Sequence, residues 1–151
     1  MRGLSDFKLG DRFESPESLL EESEALAFAR RFDPQAFHLD EAAARQSPFK
    51  GLAVSGWFTA AVCFRLIHDS GIDLRDGIIG QKIEDLQWLR PVRPGDRLRV
   101  QSTVVQIHRS AKSPHRGTLV FEHLAFNQVD EQVLLMRAHV LASDPPAQTT
   151  R

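Results

Sequence analysis

Apolar positions follow two different rhythms along this chain. From Glu22 to Phe32, the residues Ala25, Leu26, Phe28, Ala29 and Phe32 recur close to an i, i+3, i+4, i+7 stripe. That spacing predicts an amphipathic helix. Its acids come early (Glu21, Glu22, Glu24) and its arginines late (Arg30, Arg31), the order that suits the helix dipole. Asp33-Pro34 ends it, because a residue before proline avoids the α region. A short helix is expected over Asp40 to Arg45, with Asp40 as its N-cap. Gly51 to Ile67 is apolar nearly all round, which predicts a buried helix. Gly71 is the C-cap candidate that closes it.

After Gly77 the rhythm changes to strands. Leu134, Met136, Ala138 and Val140 alternate with Leu135, Arg137 and His139, a period of two. Leu98, Val100 and Val104 share one face of a second run, and Val120, Leu124 and Phe126 share one face of a third. Ile78 to Leu89 is less regular, and a bulge is expected there. Pro91, Pro94-Gly95-Asp96, Ser113-Pro114 and Asp130 mark the turns. Strands that follow one another without helices between them predict a largely antiparallel sheet. One buried helix and a sheet that must wrap it give an α+β class.

Composition narrows the function more than the fold. The 151 residues are expected to form one domain over 1–142, with no linker between Gly10 and Ala142 and a polar, proline-rich tail over 143–151. Lys and Arg total 19 against 20 Asp and Glu, a formal charge of -1. That balance argues against binding nucleic acid through bulk positive charge. No window approaches the roughly 18 uninterrupted apolar residues of a membrane span. The mixed, charged N-terminus shows no signal-like pattern, so a cytoplasmic protein without a membrane partner is expected. The one cysteine, Cys63, leaves no pair for an internal disulfide. His108, His115, His123 and His139 lack the spacing of a metal motif, and His123 and His139 fall in strand patterns. No metal is expected. There is no glycine-rich nucleotide loop, so no cofactor is expected either.

Candidate chemistry concentrates around the first turn. Pro34 can fold the chain so that Asp33 and His38 converge. A carboxylate beside an imidazole raises its basicity and fixes its tautomer, and the pair can hold a water and move protons near neutrality. Spacing alone favours a plainer alternative, a turn-capping Asp33 and a surface His38. Ser55-Gly56 opens the buried helix. There a ligand oxygen can approach backbone N–H groups at the positive end of the helix dipole. The alternative for Gly56 is close helix–sheet packing. Ala53-Val54-Ser55-Gly56-Trp57 does not form a nucleophile elbow. Trp57, Phe58, Phe64 and Trp88 are expected in the core or along a substrate tunnel.

Three segments together carry a resemblance. They are Phe28-Ala29-Arg30-Arg31-Phe32-Asp33-Pro34-Gln35-Ala36-Phe37-His38-Leu39-Asp40, Ser47-Pro48-Phe49-Lys50-Gly51-Leu52-Ala53-Val54-Ser55-Gly56-Trp57, and Leu89-Arg90-Pro91-Val92-Arg93-Pro94-Gly95-Asp96. From about Gly10 to Leu141 the chain resembles the MaoC-like acyl dehydratases, which include the (R)-specific enoyl-CoA hydratases. The resemblance implies a hot-dog fold, an antiparallel sheet wrapped around a long central helix. It implies a hydro-lyase acting on acyl-CoA or acyl-carrier thioesters, with Asp33 and His38 activating water and the Gly56 N–H stabilising an enolate-like oxygen. It further implies a homodimer or higher homo-oligomer.

Ser55 and Trp57 are expected to touch substrate. Arg109, Lys112 and Arg116, with His115, form a basic cluster around a hairpin. They could meet the phosphates of coenzyme A or simply make a solvated loop, and Arg90 and Arg93 carry the same two readings. The chain departs from many hydratases at Ser55, where histidine is common, from the branch with Ser-Gly-Trp at Phe58, where histidine often follows the tryptophan, and from some (R)-hydratases at Phe64, where they carry serine. A hot-dog acyl-CoA thioesterase and a non-catalytic acyl-CoA binding protein are the rival readings. The absence of an acid from Gly56 to His68 counts against the thioesterase.

Overall fold

A computed structural model describes residues 1–146 of the chain. A single turn of 3-10 helix, Leu4–Asp6, precedes two short strands, β1 (Arg12–Glu14) and β2 (Ser18–Leu19). Four helices follow: α1 (Glu22–Phe32), α2 (Ala36–Leu39), α3 (Glu41–Gln46) and α4 (Gly56–Asp69). Four long strands complete the order: β3 (Ile79–Trp88), β4 (Arg97–Arg109), β5 (Arg116–Phe126) and β6 (Gln132–Ser143). The sheet runs β1-β4-β5-β6-β3, with β2 paired to β4, and every strand pair is antiparallel.

α1 occupies the span its stripe predicts. It stops at Asp33, whose N–H still reaches the Ala29 carbonyl at 2.9 Å. Asp40 caps α3 by accepting from the Ala43 N–H at 2.8 Å. The central helix starts later than its apolar run suggests. Residues 51–55 are extended or irregular, and the helix begins at Gly56. Arg93 accounts for this, because its guanidinium holds the carbonyls of Phe49, Gly51 and Leu52 and keeps that segment out of helical geometry. Gly71, with φ of +81°, lies just past the other end, in the left-handed region that glycine tolerates.

α4 buries Thr59, Cys63, Leu66 and Ile67. Cys63, Leu66 and Ile67 join Val100 and Val104 of β4, Leu119 and Phe121 of β5, and Met136 and Val140 of β6 in one continuous core. Two expectations need correction. α4 is not buried all round. A single sheet covers only one of its sides, so Trp57 and Phe64 remain 60% and 45% exposed. On β5 the core face is Leu119, Phe121, His123 and Ala125 rather than the set containing Val120, Leu124 and Phe126. Val120 is fully buried on the opposite face, so both faces carry apolar residues and alternation alone cannot choose between them.

The bulge expected near Ile78–Leu89 is present in β3, with register shifts between Gly80 and Lys82 and between Ile83 and Asp85. The tail begins later than position 143. Ser143 still pairs in β6 and bonds to Asp76. Asp144 accepts from the Ser5 N–H and hydroxyl and from Arg109. Positions 147–151 of the expected tail lie outside the described residues.

Candidate active site

The turn after α1 brings Asp33 and His38 together. The Gln35 N–H reaches the Asp33 carbonyl at 2.8 Å and the His38 N–H reaches the Gln35 carbonyl at 3.0 Å. α2 then presents the His38 ring inward, where it is buried. Its Nδ1 lies 2.6 Å from the Ala53 carbonyl oxygen. A carbonyl only accepts, so Nδ1 carries a proton and the tautomer is set. Nε2 lies 3.2 Å from Asp33 Oδ2. That distance lets a proton pass directly between the ring and the carboxylate.

Asp33 is held from three directions. Oδ2 accepts from the Ser55 hydroxyl at 2.7 Å as well as facing His38, and Oδ1 accepts from the Gln35 amide at 2.6 Å. Partial burial alone would raise its pKa. The hydrogen bonds from Gln35 and Ser55 and the charge of His38 outweigh that and hold the carboxyl below its usual value. A carboxylate offers about four lone-pair sites. Three are occupied, which leaves one free for a water.

The pair opens into a cavity of about 390 Å³. Phe37, Phe49, Val54 and Trp57 give it apolar walls, and Gly56, Thr59 and the segment from Trp88 to Val92 close its other side. The Ser55 hydroxyl does not cap α4, because it points to Asp33. Among the described residues no acceptor takes the Gly56 N–H. Gly56 lines the cavity as the first residue of a 14-residue helix, with its donor unspent.

The residues expected at the site divide into three groups. Asp33, His38, Gly56 and Trp57 line one cavity. Ser55 is corrected from a substrate contact to a partner of Asp33, since it is buried and its hydroxyl is committed. Arg109, Lys112 and Arg116 do not line this cavity. They sit where Arg109 pairs with Gly117, at the far end of the ladder from Val100, Ala125, Leu134 and Trp88. Arg109 is spent on Pro114, Asp144 and Ser5. Arg93 is likewise a loop anchor, whereas Arg90 does line the cavity, with Nη1 on the Gln132 carbonyl and Nε 3.3 Å from Glu131. Phe58 packs on Phe28 at 5.3 Å rather than lining the site.

Sequence reasoning missed Gln35, Thr59 and the Ala53 carbonyl. Gln35 lies inside the quoted motif and was available as a signal. A backbone acceptor leaves no trace in residue types.

His123 and His139 lie in strands, as expected. His123 is buried with Nδ1 2.7 Å from the Ser102 hydroxyl, and burial pushes its pKa down to about 4. His139 pairs with Glu84 at 2.9 Å. Among the described residues no group of three or more His, Cys, Asp or Glu side chains could hold a metal ion. No helix among them is long and apolar enough to cross a membrane.

Comparison with known proteins gives consistent relatives. The family profile described as MaoC like domain matches residues 6–124. The chain is 30% identical over 131 residues to the uncharacterized protein YdeM of Bacillus subtilis (strain 168), covering 86% of this chain and 91% of that one. Its structure matches the crystal structure of the MaoC-like dehydratase from Rhodospirillum rubrum with a TM-score of 0.92 at 44% identity, covering 97% and 99% of the two chains. It also matches the R-hydratase PhaJ1 from Pseudomonas aeruginosa with a TM-score of 0.73 at 26% identity, covering 95% and 86%. The sheet and its central helix are the hot-dog fold of these neighbours.

Proposed function

The chain belongs to the MaoC-like domain family, and from that premise we propose that it reversibly hydrates trans-2-enoyl-CoA to 3-hydroxyacyl-CoA with a water activated by Asp33 and His38. Membership supports hydratase/dehydratase chemistry in general. The particular reading rests on one observation: His38 Nδ1 is tied to the Ala53 carbonyl while Nε2 faces Asp33 inside the cavity.

In the hydration direction the water sits at the free lone pair of Asp33. Asp33 takes a proton from it as its oxygen bonds to C3. The electrons of the C2–C3 double bond move toward the thioester, whose oxygen gains negative charge at the Gly56 N–H. His38 gives its Nε2 proton to C2, which restores the carbonyl. The proton taken by Asp33 then passes to His38 across the 3.2 Å contact, so the pair ends as it began. Dehydration runs the same steps backward. The lowered pKa of Asp33 keeps it ionised and ready at neutral pH.

The first turn of α4 carries no acid, which favours this reading over a thioesterase. The test is incubation with trans-2-enoyl-CoA thioesters of graded length. Loss of the conjugated enoyl absorbance with formation of 3-hydroxyacyl-CoA supports it. Release of free thiol would support hydrolysis instead, and binding without turnover a non-catalytic module.

We further propose that the working form is at least a homodimer. Trp57, Phe64 and Ile83, on α4 and β3, are 60%, 45% and 52% exposed, and β3 is an edge strand whose apolar residues gain from being covered. A monomer by light scattering at micromolar concentration would contradict this.

A further inference from the structure

Thr59 differs from the other buried polar side chains among the described residues. It is 1% exposed, it lines the same cavity as Asp33, His38 and Gly56, and its Oγ1 has no hydrogen-bond partner. Ser55, Ser102 and Asn127 are all engaged. A helical threonine can return its hydroxyl to the carbonyl one turn back. Here the Ser55 carbonyl receives only the Thr59 N–H, at 3.0 Å. Valine would fill nearly the same space without burying an unmade hydrogen bond. A hydroxyl kept there without a protein partner points to a partner on the ligand.

Its position says which one. Side chains on a helix lean toward the N-terminus and cover the preceding turn. Residue 59 therefore leans over the turn that starts at Gly56. Thr59 and Gly56 line one cavity, and neither the hydroxyl nor the N–H has a protein acceptor among the described residues. Two donors one turn apart at the start of one helix, neither with a protein acceptor, can serve a single ligand oxygen.

We infer that Thr59 is a catalytic residue whose hydroxyl donates, beside the Gly56 N–H, to the carbonyl oxygen of a bound acyl thioester. The inference rests on the reading of the cavity as an acyl-thioester site. As water bonds to C3, electrons from the C2–C3 double bond accumulate on that oxygen, and they return when C2 takes its proton. A donor aimed there strengthens most in the transition state, so it acts on kcat more than on KM.

The test compares Thr59→Val and Thr59→Ser with the parent protein. In hydration of trans-2-butenoyl-CoA, the valine variant is expected to lower kcat about tenfold to a hundredfold with KM changed less than about threefold, and serine to stay within about threefold of the parent. An effect on KM alone, or none, overturns the role. The second readout is the infrared band of butyryl-CoA labelled with carbon-13 at the carbonyl, a saturated thioester that cannot be hydrated. Bound to the parent, the band should lie at lower frequency than when bound to the valine variant, and serine should keep the parent position. A band unmoved by valine overturns the proposal whatever the kinetics.

The two arms separate the two claims. If the parent hydrates no enoyl thioester, the hydratase reading falls and the infrared band alone decides Thr59. If the parent hydrates no enoyl thioester and butyryl-CoA does not bind either, both fall. Thermal unfolding covers a purely structural hydroxyl: the valine variant should melt at or above the parent's temperature, and a clear fall overturns the inference.

Discussion

The indole Nε1 of Trp88 donates to the Gly56 carbonyl at 2.7 Å, from the edge strand β3 to the first residue of α4. The same ring fills the space a side chain at 56 would need, since a Cβ built there falls 2.7 Å from Nε1. Trp57 meets the Trp88 ring edge-on at 5.0 Å. Glycine at 56 thus serves two ends. It admits the tryptophan that covers the helix start, and it starts the helix at the cavity lining with its N–H unspent.

Gly56→Ala should destabilise the protein by about 1–3 kcal/mol through overpacking. Trp88→Ala removes the obstacle, so the double variant should be more stable than the two single losses predict. A urea-denaturation cycle should show coupling of about 1 kcal/mol or more, and strict additivity would contradict the contact.

Ser55→Ala removes one donor from the charged form of Asp33. Fewer donors favour the protonated carboxyl, so its pKa rises. The acidic limb of kcat/KM against pH should therefore move to higher pH, with kcat lowered by up to about tenfold. Superimposable acidic limbs for parent and variant would mean that this bond does not tune Asp33.

Arg93→Ala should loosen the segment that leads to the Ala53 carbonyl, and with it the orientation of His38. Losing charged bonds to Phe49, Gly51 and Leu52 should cost about 2–4 kcal/mol in chemical denaturation. Arg93→Lys should recover only part of this, because an ammonium lacks the planar fork that reaches several carbonyls. A full recovery by lysine would contradict the fork's role.

His123 sets an acid dependence of stability. Burial holds its pKa at about 4 in the folded protein, below the ordinary value of about 6.5. Between those values the unfolded chain binds a proton that the folded chain does not. Its contribution is complete above about pH 6.5 and is lost as pH falls toward 4, about 3 kcal/mol in all. Denaturation at pH 7 and pH 5 should show a smaller acid loss for His123→Asn than for the parent. Equal losses would place the acid sensitivity elsewhere.

Much of this architecture is legible in the chain, because its signals are local. α1 follows from one stripe, its dipole-matched charges and Asp33-Pro34. β6 follows from the alternation at Leu134, Met136, Ala138 and Val140. The convergence of Asp33 and His38 was expected from Pro34 and from the motif around it.

What escaped the sequence depends on distant partners. Ser55 reads as a substrate contact until the fold puts Asp33 beside it. Arg93 reads as a surface charge until the loop at 49–52 wraps its guanidinium. The Ala53 carbonyl that fixes the His38 tautomer belongs to the backbone and has no residue signature. The central helix looked buried all round because its outward residues, Trp57 and Phe64, are apolar. That is also the pattern expected of a face covered by a second chain.

The most direct test of the account is hydration of trans-2-enoyl-CoA by the parent protein, Asp33→Asn and His38→Ala, each shown to be folded by circular dichroism. The parent should form 3-hydroxyacyl-CoA, and each variant should lose about 10²- to 10⁴-fold in kcat. Turnover by both variants at the parent's rate would contradict the account.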